Sequence, residues 1–305
     1  MQIGDTLPTV ASIFLLLLVG YAAKRFGALK ASDASVVNSL VVNLTMPAFI
    51  FVSIHSRPIK PGMLQAPIVG FVMEMVVMGL AYLMAILLRL DRRTTAALML
   101  VSAFGNTGFL GYPVVTAAFP DDKNALLCAV MFDEFAMALA LNSVGVAVAT
   151  AASGTKFEWG NVLEFLRSPL FPATIVSLLL RNVAIPRFLI STLEYLAAGT
   201  VPLAMISIGL SLSTGAVRNY PRAIAVALVL KMIVLPSLVW LTVPAINADK
   251  IVRQVAILES SMPSAVFSGV IASRFGANGA FAAAAIFVLT LCSVIFIPLM
   301  LTLIT

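Results

Sequence analysis

Ser102-Ala-Phe-Gly-Asn-Thr-Gly-Phe-Leu-Gly-Tyr-Pro113 lies in the middle of an apolar segment running from about Thr95 to Ala118. As a helix, a segment of that length crosses a bilayer, which takes about 20 residues. Its centre carries Gly105, Gly108, Gly111 and Pro113, which weaken a helix where lipid offers no water to freed backbone groups. Backbone opens at that depth only where protein or a wet cavity covers it. The stretch therefore reads in one of two ways. It is a broken helix with Asn106 and Thr107 at the break, and so a solute site, or it is a glycine-rich packing face in a helix bundle.

The rest of the chain bears on that choice. Of its 305 residues 61% are hydrophobic and 10% charged, with a mean hydropathy of +1.07, against about 25% charged residues in an ordinary soluble domain. This composition is that of an all-α integral membrane protein, with the lipid bilayer as its surroundings. The net charge of +6 sits in short basic clusters between apolar spans, a topology signal rather than a nucleic-acid surface. Cys128 and Cys292 fall inside apolar segments and read as small buried hydrophobes. The N-terminus lacks the basic region of a cleaved signal, so the first apolar run is expected to be a retained span.

Ten spans can be drawn: 7–23, 36–54, 65–88, 95–118, 125–151, 169–185, 189–213, 221–246, 251–274 and 277–303. The longest connection, 152–168, separates a first five-span unit (1–151) from a second (169–305). One set of alternate loops holds Lys24, Arg25, Lys30, Arg89, Arg92, Arg93, Lys156, Arg167, Arg218, Arg222 and Arg274. The other set holds Arg57, Lys60, Lys123, Arg181, Arg187, Lys250 and Arg253. The positive-inside rule places the larger set in the cytoplasm and both termini outside it.

The two halves match. Leu44-Thr-Met-Pro-Ala48 pairs with Gly199-Thr-Val-Pro-Leu203, Phe119 with Phe275, and Glu74 with Lys231, at offsets of 155, 156 and 157 residues. Five is odd, so the second copy enters the membrane from the opposite face, giving an inverted repeat. If span four is broken, span nine should be broken at the same level. There the sequence reads Glu259-Ser-Ser-Met-Pro-Ser264, with a proline mid-span flanked by serines. Paired interruptions at corresponding positions point to a transport site.

In Asn106-Thr-Gly-Phe-Leu-Gly-Tyr-Pro113, in Asn43-Leu-Thr-Met-Pro47 and in its 5+5 layout, the chain resembles a bacterial member of the auxin efflux carrier family. That family includes the plant PIN-formed carriers and bacterial carriers associated with malonate and other small organic anions. The resemblance covers nearly the whole chain and implies a PIN-like, bile-acid-symporter-like fold in which broken helices four and nine cross. It implies a scaffold of spans one, two, six and seven, and a mobile transport domain of spans three to five and eight to ten. It further implies elevator-type movement, a homodimer and the bacterial inner membrane. The long hydrophilic loop of plant members is missing here, so their regulation through it does not carry over.

Half-helix N-termini at such a crossing suit an anion. Asn106, Thr107, Ser260, Ser261 and Ser264 are the expected polar contacts to a carboxylate; Gly108 and Gly111 let backbone approach it, and Pro113 and Pro263 fix the breaks. Each serine has the alternative of bonding back to its own helix. Asn43 is a candidate for the fixed wall, or part of a packed proline kink. Ionisable residues cost a few kcal/mol at depth and are rarely idle. Glu74 and Lys231 are expected as a support pair that gains or loses a proton, or as a static ion pair. Asp133, Glu134 and Glu259 are candidates for ion or proton coupling, with H+ and Na+ as the candidate ions. His55, the one histidine, is expected at an interface.

No metal site, nucleotide loop or cofactor is expected: the glycines fit neither a Walker loop nor a dinucleotide fingerprint, and one histidine has no company for zinc. The function that follows is a secondary transporter of a small organic anion, malonate-like or auxin-like, and not an enzyme. The rivals are a non-transporting receptor on the same fold and an intramembrane enzyme using Asp133 or Glu134.

Overall fold

A computed structural model describes residues 3–55, 59, 61–154, 160, 166–212, 217–246 and 248–305. Arg57, Lys60 and Lys156, used above for orientation, and most of the 152–168 connection lie outside the described residues. The described chain is helical: α1 (Ile3–Arg25), α2 (Asp33–Ile54), α3 (Pro61–Leu87), α4 (Arg92–Ala103), α5 (Tyr112–Ala118), α6 (Asn124–Ser153), α7 (Leu170–Leu179), α8 (Arg187–Ser211), α9 (Pro221–Ala245), α10 (Lys250–Ser260), α11 (Val266–Arg274) and α12 (Gly279–Ile304). No described residue belongs to a β-strand longer than one bridge.

Among the described residues six helices are long and apolar enough to cross a membrane: α2, α3, α6, α8, α9 and α12. The apolar runs drawn over 95–118 and 251–274 do not form single helices. Each stops part way, at Ala103 and at Ser260. The chain is thus a multi-pass membrane protein whose hydropathy pattern overstates the number of continuous helices.

Local chemistry sets the helix ends. Asp91 starts α4, accepting from the backbone N–H of Arg93 (3.0 Å) and Thr94 (3.1 Å) and from the Thr94 hydroxyl (2.6 Å). That hydroxyl, ahead of the backbone donors, holds the Asp91 carboxyl below the usual carboxylate range. Asn278 starts α12 by accepting from Phe281 N–H, and its amide donates to Thr94 and to the Tyr220 hydroxyl (2.9 and 3.0 Å), tying α4, α9 and α12 together at one end. At the other extreme of burial, Leu15, Leu18, Val76, Ile86, Leu179, Phe188, Leu241 and Ile295 are exposed. In water such a surface would drive association; against lipid tails it is matched.

The tightest helix contact joins α1 to α8. At Gly20 an added Cβ would overlap the Ile206 backbone, and at Gly209 it would overlap the Leu17 carbonyl and lie 2.7 Å from Tyr21 N. Small residues at such a crossing let backbones touch, which is how helices gain packing energy in lipid. Lys24, in the last turn of α1, donates to the carbonyls of Leu210 (2.9 Å) and Leu212, partnering groups that the end of α8 leaves unbonded.

Candidate functional site

The two interruptions meet. After Ala103 the chain turns extended at Phe104 (φ −92°, ψ 126°), and Ala265 is extended likewise (φ −61°, ψ 134°). Gly105 and Ser264 form an antiparallel bridge, Asn106 N–H donates to Pro263 O (2.7 Å) and Ala265 N–H donates to Phe104 O (2.9 Å). Backbone groups freed by breaking one helix are therefore bonded by those freed in the other, the requirement that lipid imposes. Side chains complete the set. Ser264 donates to Val101 O, and Ser268 reaches Leu100 O at 3.4 Å, so hydroxyls from the second break serve carbonyls at the end of α4. Lys231 donates to Ser260 O (2.8 Å), the last residue of α10.

Beyond the breaks the chain resumes helix. Residues 107–111 form a wide π-type turn that runs into α5, with Leu110 and Gly111 N–H both donating to Asn106 O. The N–H groups of Thr107, Gly108 and Phe109 begin that turn and have no earlier helical carbonyl to reach. Asp133 and Glu134 occupy a similar widened turn, 133–138 within α6, and Lys231 another, 230–234 within α9. Such turns recur at functional positions because they redirect side chains out of the helical register.

Around the crossing lies a buried cluster of charge. Glu74, Asp133, Glu134, Lys231 and Glu259 are all at most 3% exposed, and Lys231 ranks among the largest fully buried side chains. Glu74 lies within electrostatic reach of Lys231 and Asp133, Glu259 of Asp133 and Lys231, and Glu134 of Asp133. Asp133 is the best satisfied: Thr107 Oγ1 donates to one oxygen and the Tyr112 hydroxyl to the other, at 2.7 Å. Glu259 packs against Gly111, where any side chain would overlap its carboxyl, and neither of its oxygens has a hydrogen-bond partner. Both Glu134 oxygens, Glu74 Oε2 and Asn106 Nδ2 likewise have none.

A cavity of about 250 Å³ opens beside the cluster. Its polar lining is Asn106, Asp133, Glu134, Asn142, Ser168 and Arg274; Phe109, Phe267, Phe275, Met46, Met137 and Val42 are among the apolar residues around it. Phe109 and Phe267, one after each break, meet edge to face with centroids 5.9 Å apart. The structure thus brings Asn106, Gly108, Asp133 and Glu134 to one cavity. Several other expected contacts point elsewhere. The Thr107 hydroxyl is bonded to Asp133, Ser260 and Ser261 both donate back to Ile257 O (2.7 Å), and Ser264 holds the end of α4. Pro113 is buried in the first turn of α5, and Pro263 lends its carbonyl to Asn106. Asn43 is exposed and bonded to Ser39 O; Val42 and Met46 are the α2 residues that reach the cavity. His55 stacks on Phe51 at 5.4 Å, away from the site.

Thr107→Val keeps the shape of that side chain and removes its proton donor. Because the Asp133 oxygen is buried, the variant is expected to melt with about 1–3 kcal/mol less stability. Unchanged melting in detergent would show that the Thr107–Asp133 bond contributes nothing.

Sequence reasoning missed Tyr112, Phe109, Phe267 and Arg274. A signal for the pair of phenylalanines was present, since each follows its break at nearly the same offset that relates Glu74 to Lys231. The family described as membrane transport protein matches residues 6–159 and 160–301. An uncharacterized transporter of Methanocaldococcus jannaschii is 32% identical over 303 residues, 95% of this chain and 96% of its own. A Rhizobium meliloti protein named "Putative malonate transporter" is 25% identical over 309 residues, covering 93% and 91%. Transporter YfdV of Escherichia coli is 25% identical over 283 residues, covering 90% and 88%.

Proposed function

Because the chain belongs to the membrane transport protein family, and so is a membrane transporter, we propose that it carries a small organic anion, malonate-like or another carboxylate, by alternating access around the crossed breaks. The observation that carries this reading is the meeting of the interruptions at 104–106 and 261–265 beside a cavity that holds an unpartnered amide, Asn106 Nδ2. An anion there would face that amide and the N–H groups opening the 107–118 and 266–274 helical stretches. The apolar remainder of the wall would hold the body of the solute.

The architecture that fits is ten spans in a 5+5 inverted repeat, with α4–α5 and α10–α11 as crossing spans four and nine. Three features support it: the breaks fall after Ala103 and Ser260, 157 residues apart, the family matches the chain in two stretches, and each half supplies one side of the Gly105–Ser264 bridge. Spans one, two, six and seven would be the scaffold and the others the moving part, in an elevator cycle. Val42, Met46 and Leu170 then form the fixed wall of the cavity, and Asn106, Phe109, Asp133, Glu134 and Phe267 the moving one. A homodimer in the bacterial inner membrane, with both termini outside the cytoplasm, completes the proposal. H+ and Na+ are its candidate coupling ions.

Uptake of radiolabelled malonate and of indole-3-acetate into sealed liposomes tests it. Asn106→Ala is expected to raise the half-saturating concentration about tenfold or more, the effect of deleting one hydrogen bond to a charged group, while melting like the parent. Full uptake by that variant would move the site away from the break, and uptake of neither anion by the parent would reject carboxylate transport.

A further inference from the structure

Among the described residues, Glu134 is a buried acid, 1% exposed, that lines the cavity with neither carboxyl oxygen hydrogen-bonded. Its neighbour Asp133 is different: each of its oxygens accepts a hydrogen bond, from Thr107 and from Tyr112, so Asp133 is held in place. Asn106 Nδ2, a donor without an acceptor, lines the same cavity. The residues lining this cavity thus include an unpartnered donor and an unpartnered carboxyl group.

An ionised Glu134 would repel a carboxylate entering this space and would lack the partners that a buried charge requires. A protonated Glu134 has the opposite character, because its O–H is a donor. A solute carboxylate placed between it and Asn106 accepts one hydrogen bond from the acid and one from the amide. From this arrangement we propose that Glu134 is the proton-coupling residue of the carrier: it enters the cycle protonated, donates to the bound carboxylate, and releases its proton on the side where the solute leaves. The inference rests on the carrier reading above. No covalent bond changes; one proton from water is taken up on one side and returned to water on the other for each solute. With a monocarboxylate the pair crosses without net charge.

The groups around Glu134 fit this role. Asp133 on its own helix and Glu74 on α3, which packs against residues 133–138, are acids. Tyr112 on α5 spends its hydroxyl on Asp133. Arg274 on α11 lines the same cavity and is an exposed residue, within 5.3 Å of the Phe275 ring centroid. Lys231, itself buried, donates to Ser260 O. Neither carboxyl oxygen of Glu134 has a hydrogen-bond partner, so its proton is not committed to another side chain.

The test uses the whole protein in liposomes loaded with a pH-sensitive dye and given labelled malonate or indole-3-acetate over about pH 5 to 8, with the leak of undissociated acid into protein-free liposomes subtracted from both readouts. In the parent, uptake at low solute concentration is expected to fall as pH rises, toward tenfold per pH unit once Glu134 ionises, and the lumen to acidify as solute enters. Glu134→Gln keeps an N–H donor in place of the O–H. It is expected to take up solute to an extent that no longer varies with pH by more than about twofold and without acidifying the lumen. Acidification persisting in Glu134→Gln overturns the proposal and leaves the carrier reading standing. So does a parent whose uptake ignores pH and moves no protons, an arm that needs no variant to fold. Uptake of neither anion at any pH rejects the carrier reading, and this proposal with it.

Discussion

Replacing Lys231 with methionine is expected to lower stability by about 3–5 kcal/mol, the usual cost of stranding buried charge, and to abolish carboxylate uptake. Methionine keeps most of the length and apolar stem of lysine, so the change isolates the ammonium. That group donates to Ser260 O and lies 3.1 Å from where a Gly105 Cβ would stand, so it touches both interrupted helices at once. It is also the cation within reach of Glu74 and Glu259. Without it the end of α10 loses a donor, and two buried acids lose a nearby opposite charge. Adding Glu74→Gln to Lys231→Met removes one of those stranded acids and is expected to recover part of the melting temperature, but not transport. A Lys231→Met protein that melts and transports like the parent would show that the lysine is a bystander.

A second large effect is expected from the smallest possible change, Gly209→Ala, at about 3 kcal/mol or more of lost stability. The added methyl group has no flexible neighbour to push aside. It meets the Leu17 carbonyl and Tyr21 N, both backbone atoms of α1, and moving them means moving the helix. Lys24, which holds the end of α8 from the same helix, would be drawn out of register with Leu210 and Leu212. Loss of the monodisperse peak in size-exclusion chromatography, or a fall in melting temperature well beyond that of a surface Gly79→Ala control, is the expected readout. At Gly79 an added Cβ meets nothing within 4 Å. Equal behaviour of the two variants would mean that α1 and α8 sit farther apart than described.

Much of this was legible before any coordinates. Glycine and proline in the middle of apolar runs located both interruptions to within a few residues, because they are the residues a membrane helix tolerates least. The burial of Glu74, Asp133, Glu134, Lys231 and Glu259 followed from their positions inside spans. What could not be read was the direction of each hydroxyl and amide. Ser260, Ser261 and Ser264 look alike in sequence, yet two bond to their own helix and one to the helix opposite. Asn43 and Val42 are adjacent, and rotation of α2 about its axis decides which of them meets the cavity. Such choices depend on how helices from distant parts of the chain are packed, which no local pattern records.

The bridge between Gly105 and Ser264 also constrains how the protein is made. When the ribosome has delivered the first half, the backbone of Phe104 and Asn106 has been inserted without the partners that Ala265 and Pro263 will later supply. A nascent chain in that condition needs shielding, as by the translocon or a membrane chaperone, until residues 263–265 have been made, and a transcript truncated after residue 160 should yield a fragment that membrane proteases clear. Co-expressing the two halves as separate polypeptides should rescue both from degradation, because each carries the backbone groups that the other lacks.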